Sequence, residues 1–145
     1  MEQNKRYRLL EHTADAYVAA YGKDLAEAFE NAAVAMFDVM TEIDHVSPTL
    51  KDSVEVKAED KQSLLYSWLE ALLIKSDTNE MLYSRFEISE LQKTESGYRL
   101  EATIWGEHFN PEKHLQKVGV KAITYHRMEI IEESGHVTLK FILDI

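Results

Sequence analysis

The sequence predicts an α+β fold: one domain over residues 1–145, with a mixed or antiparallel sheet packed against two main helices. Three observations lead there. Short runs of alternating apolar and polar residues recur along the chain, as half-buried strands require. Two longer segments carry apolar residues at helical spacing. No repeat, linker or low-complexity stretch divides them, and 145 residues suit a single core.

Arg6–Leu10 and Ala16–Tyr21 read as strands, with His12-Thr13-Ala14-Asp15 as the corner between them. Asp24 then caps a first helix, and Glu27 three residues later completes a capping box. Leu25, Phe29, Ala32, Met36 and Val39 form its inward face, and it ends near Met40-Thr41. Val54, Val56 and Ala58 alternate with Glu55 and Lys57 as a strand. The second helix starts after Asp60, where Leu64, Leu65, Trp68, Leu69, Leu72 and Leu73 make a wide apolar stripe. That breadth predicts the more buried of the two helices.

Met81–Leu91 and the alternating Tyr98, Leu100, Ala102 and Ile104 read as a hairpin turning at Glu95-Ser96-Gly97. Asn110-Pro111 opens one short helical turn near Glu112–His114. Val120–Ile131 is extended, Ser134-Gly135 turns the chain, and Val137–Leu143 returns as the last strand.

Composition narrows the chemistry. With no cysteine, thiolate nucleophiles, disulfides, cysteine zinc sites and iron–sulfur clusters are excluded. Any metal must sit on oxygen or imidazole. The net charge of −10, from 26 acidic and 16 basic residues, repels phosphate backbones on average, so strong direct nucleic-acid binding is not expected. No apolar run reaches the length of a membrane helix, and Met1-Glu2-Gln3-Asn4-Lys5 does not read as a signal peptide. A cytoplasmic protein is expected.

No Gly-rich phosphate loop or nucleotide motif occurs, and the six histidines are scattered. Two places stand out instead. Glu11-His12-Thr13-Ala14-Asp15 is a polar corner between apolar strands, either a plain turn or a ligand-bearing one. Asp144 lies beside the terminal Ile145 on the face opposite Val137, Leu139, Phe141 and Leu143, either a solvated carboxylate or part of a site. If the two places meet, Asp15, Asp144 and a main-chain oxygen of Ile145 converge as hard donors suited to Ca2+, Mg2+ or Mn2+. A third segment, Val118–His126, alternates Lys121, Ile123 and Tyr125 against Ala122, Thr124 and His126. It is either an ordinary strand or a partner-facing ridge.

Together, Glu11–Asp15, Ala28–Ala33 with Ala35-Met36-Phe37, Val120–His126 and Asp144-Ile145 resemble the archease family, in order and across essentially the whole chain. The resemblance implies a protein cofactor of the GTP-dependent, tRNA-splicing RNA ligase of the RtcB type, not an enzyme. Such a cofactor promotes ligase guanylylation and multiple turnover, meeting tRNA exon halves through the ligase. It implies a divalent metal, calcium in the isolated protein and Mn2+ or Mg2+ in the working complex, on Asp15, Asp144 and Ile145. His12, Lys121, Tyr125 and His126 match motif positions with a partner-facing or supporting part. Tyr17 stands where the family often has Gly. The rival readings are a chaperone-like binding module and a metal-dependent phosphoesterase.

Overall fold

The computed structural model describes residues 6–12 and 15–145, and side chains for 6–10 and 15–145. Among the described residues, seven strands and two α-helices follow one another as β1 (Tyr7–His12), β2 (Ala16–Gly22), α1 (Leu25–Met40), β3 (Leu50–Ala58), α2 (Lys61–Asn79), β4 (Met81–Lys93), β5 (Tyr98–His108), β6 (Ala122–Glu133) and β7 (His136–Asp144), with a single 3-10 turn at Ile43–His45. The α+β expectation holds. The strands, however, make two antiparallel sheets: four-stranded β1-β2-β7-β6 and three-stranded β3-β5-β4.

Each helix begins on an aspartate. Asp24 accepts from the Glu27 N–H at 2.9 Å. The return arm of this cap differs from the expected box, because the Glu27 carboxylate accepts from the N–H of Lys23, one residue before the cap. Asp60 accepts from the Ser63 N–H at 2.8 Å, and Ser63 Oγ accepts from the Asp60 N–H, closing a full capping box. The serine there is short, so it reaches the cap itself.

The core lies around the helices. α1 packs on β2 and β7 of one sheet and on β4 of the other, while α2 touches β3, β4 and β5 as well as β6. A helix with sheets on two sides must be apolar nearly all round. In α1 the whole run from Ala32 to Phe37 is buried, whereas α2 buries a stripe through Leu64, Leu65, Trp68, Leu69, Leu72 and Leu73. The expectation that α2 would be the more buried is therefore corrected. Alanines hide this in the sequence: they let the sheets approach α1 without announcing an apolar face.

Phe37 packs against Tyr83 edge-on and against Phe86, and Trp68 meets Phe86 at right angles. On β7, Val137, Leu139, Phe141 and Leu143 are buried as the alternation requires. The later chain holds one expected feature and one departure. Asn110 opens one short helical turn, its carbonyl accepting from the N–H of Lys113 at 3.0 Å and of His114 at 2.8 Å. β6 begins regularly, with Ala122 opposite Asp144 and Thr124 opposite Ile142, but then Tyr125 to Met128 stand against Phe141 alone before pairing resumes at Glu129 and Lys140. This wide bulge carries Arg127 at φ 59, in the left-handed region.

Candidate functional site

Register brings the two distant aspartates to one place. Strands β2 and β7 pair antiparallel with Ala16 opposite Leu143 and Tyr17 opposite Ile142. One step beyond Ala16 is Asp15, and one step beyond Leu143 is Asp144. Continuing the pleat puts both on the face of Tyr17 and Ile142, away from the helices. Both are half-buried. Two carboxylates at neighbouring strand ends repel unless cations or donors offset them.

The neighbours of this pair are ordered by the main chain. Lys121 donates its N–H to the Asp144 carbonyl at 2.7 Å, which extends the β6–β7 pairing one residue past the strand. Ile145 is half-buried against the core. The Lys121 side chain itself is exposed. Of the other residues singled out in the sequence, His12 ends β1 opposite Ala16, while Thr13 and Ala14 and the side chains of Glu11 and His12 lie outside the described residues.

The Val118–His126 segment does not keep the alternation read from its sequence. Ile123 is buried, but Tyr125 is 53% exposed, because the bulge begins there and turns the ring out of the pleat. Tyr125 stacks on Tyr66 of α2, ring centroids 4.5 Å apart and planes nearly parallel. Burial, then the charges of Tyr66, Asp60 and Glu70, push its hydroxyl above the usual phenol range. His126 is exposed on the same bulge. Arg127 lays its guanidinium over the Tyr17 ring at 4.5 Å, so the bulky residue beside Asp15 is covered by a cation reaching across the sheet.

Electrostatics at this end come from backbone as well as side chains. β2 enters α1 through a two-residue connection, Lys23-Asp24, so α1 runs back towards the start of β2, where Asp15 lies. α2 begins beside the end of β6, where Lys61 pairs with Glu132, and passes Tyr125 near the strand's start. Both helices therefore end towards the pole that holds Asp15 and Asp144. Neither carries a basic residue in its last turn. The negative ends of two helix dipoles thus add to the two carboxylates.

The segment leading to Lys121 is fastened by a cluster that the sequence did not announce. Glu107 accepts from the Ser47 N–H at 2.8 Å, from Lys113 Nζ at 2.7 Å and from His114 at 2.8 Å. The Asn110 N–H donates to His114 Nδ1, which turns the Nε2 of the buried ring towards Glu107. Burial would raise the Glu107 carboxyl, but the bonds from Lys113, Ser47 and His114 outweigh it and bring it down to about 2. Further on, the Lys117 N–H caps the Met40 carbonyl at 2.9 Å. The available signal was a lone His four residues after an Asn-Pro turn.

Among the described residues no group of three or more His, Asp or Glu side chains gathers as a metal cluster. The expected set needs only two side-chain carboxylates and one main-chain oxygen.

The Archease protein family (MTH1598/TM1083) matches residues 7–145. The chain belongs to the archease family. Protein archease of Sulfurisphaera tokodaii is 43% identical over 141 residues, which is 97% of this chain and 99% of that protein. Protein archease of Pyrococcus abyssi is 47% identical over 126 residues, covering 87% and 88% of the two chains. The solution structure of protein 1598 from Methanobacterium thermoautotrophicum superposes with a TM-score of 0.85 at 42% identity, over 97% of this chain and 99% of that one. In archease terms, the Ala-rich motif of α1 is the helix held between the two sheets, and Asp15 at the end of the corner motif adjoins the tail motif at one sheet end. Among the described residues no helix is long and apolar enough to cross a membrane.

Proposed function

We propose that this chain activates a GTP-dependent RNA ligase of the RtcB type, promoting its guanylylation and its multiple turnover in tRNA exon ligation. The observation that carries the reading is the register that brings Asp15 and Asp144 together in a chain of the archease family. In this reading the chain is a cytoplasmic helper that makes and breaks no bond, and it meets tRNA exon halves only through the ligase.

The donor set fits a divalent cation. Asp15 and Asp144 would hold it through carboxylate oxygens and Ile145 through a main-chain oxygen, a hard set that favours Ca2+, Mg2+ or Mn2+. Bound Ca2+ in the isolated chain, or Mn2+ or Mg2+ in the working complex, supplies positive charge for phosphate oxygens. The chain's own part is positional. The Lys121 N–H fixes the main chain of Asp144, and the packed side chain of Ile145 anchors the residue after it. His12, Lys121, Tyr125 and His126 serve as partner-facing or supporting residues around that end. A net charge of −10 and two helix C-termini draw this pole towards a cation-bearing surface.

The test is ligation of tRNA halves over time by a cognate ligase held in large excess over this chain. Native protein should accelerate product formation well beyond its own molar amount. Asp144→Ala should lose the stimulation while its circular dichroism stays native, since a strand-end carboxylate adds little to the core. Full stimulation by a folded Asp144→Ala protein would overturn the reading.

A further inference from the structure

A second site lies at the same pole, on the helix side. A cavity of about 770 Å3 opens where α1 and α2 end, closed on its far side by the 109–119 segment. Met40, Met81, Leu82 and Phe109 supply apolar wall. Leu115 and Val118 stand at its rim, 55% and 45% exposed. Such a volume holds a ligand of drug or short-peptide size.

Its charge is negative. Asp77 and Glu80 both line it, and neither makes an ion pair among the described residues. Among the described residues Lys117 is the only cation in the lining, and its ammonium is engaged by the Asp38 carbonyl at 2.8 Å and faces Glu42 at 3.7 Å. Each helix C-terminus contributes roughly half a negative charge more. One feature is independent of these charges. Thr41, 1% exposed, borders the cavity, and its hydroxyl has no hydrogen-bond partner among the described residues.

We infer that this cavity receives a lysine or arginine side chain presented by an extended segment of a protein partner. The cationic head meets Asp77, Glu80 and the two helix ends. The aliphatic stem runs along Met40, Met81 and Leu82. Flanking apolar residues of the segment cover Leu115 and Val118, which a free amine would leave in water; that favours a protein chain over a small polyamine. The inference does not depend on the ligase reading, because none of these residues belongs to the Asp15–Asp144 set.

The test uses the full chain, labelled with 15N, titrated with acetyl-Leu-Arg-Leu-amide, with the same peptide carrying citrulline for arginine, and with spermidine. The arginine peptide should shift the amides of Thr41, Glu80, Leu115 and Gly119. The neutral citrulline peptide should bind about fivefold more weakly, the equivalent of one partly screened ion pair. Asp77→Asn with Glu80→Gln should bring the arginine peptide down to the citrulline level, and Leu115→Ser should weaken both peptides. Circular dichroism and the unperturbed amides of β3 and β5 report that each variant is folded. Equal binding of the two peptides, spermidine binding as tightly as the arginine peptide, shifts elsewhere or no shifts at all would each overturn the inference. Calcium titration of the same variants should be unchanged, which separates failure here from failure of the acidic pair.

Discussion

The indole N–H of Trp68 in α2 donates to the main-chain carbonyl of Phe29 in α1 at 2.9 Å, and both residues are fully buried. The bond joins the two helices near the middle of the core. Trp68→Phe removes the donor and leaves a gap beside Phe86. The expected cost is about 2–3 kcal/mol, from one buried hydrogen bond plus a small cavity. Urea unfolding followed by circular dichroism measures it, and an unchanged midpoint would show that the bond contributes nothing net.

Glu107 predicts an acid limb in stability. Its carboxyl is brought down to about 2 in the folded chain, below the ordinary 4.5 of a free glutamate. A depressed carboxylate stabilises the fold above its unfolded pKa, and that contribution fades as pH falls from about 4.5 through 2. Glu107→Gln should therefore cost about 1–2 kcal/mol near neutrality, allowing for solvent screening, and little at pH 2. Thermal melts of both proteins across that window decide it. Parallel pH profiles would mean the cluster is not coupled to folding.

How far the sequence speaks depends on which partner sets the conformation. Asp24 and Asp60 announce their helices because a cap is a contact within four residues, and the alternation of Val137 to Leu143 survives because β7 is covered along its length. Tyr125 to Met128 read as regular strand, since nothing local shows that they face a single residue of β7. The Glu107–His114 cluster was silent for the same reason: its fourth member, Ser47, comes from sixty residues away. Asp15 and Asp144 were legible as oddities, and only the β2–β7 register makes them neighbours.

Calcium should bind the acidic pair. Calorimetric titration of the native chain with Ca2+ or Mn2+ is expected to show one site, which Asp15→Ala and Asp144→Ala each weaken by about tenfold or more, as loss of one carboxylate ligand implies. Binding of undiminished strength in both variants would remove the metal from the proposed function.

The isolated chain should catalyse nothing. Incubated with GTP, Mn2+ and labelled tRNA halves, it is expected to yield neither ligated nor cleaved RNA above a blank, since the sequence holds no nucleotide motif and no cysteine. Turnover that persists through repurification and vanishes in Asp15→Ala would favour a phosphoesterase instead.

The bulge in β6 has a consequence for the company this protein keeps. β6 is the outer strand of its sheet, and a straight outer strand is an invitation to another chain to zip on and seed fibres. Here the four residues Tyr125 to Met128 leave the ladder, with Arg127 in a backbone state that no added strand can match. Beyond them Glu129, Glu132 and Glu133 stand exposed, so a second copy approaching this rim meets like charge. The same kink that swings Tyr125 onto Tyr66 thus keeps this rim from serving as a template for another chain.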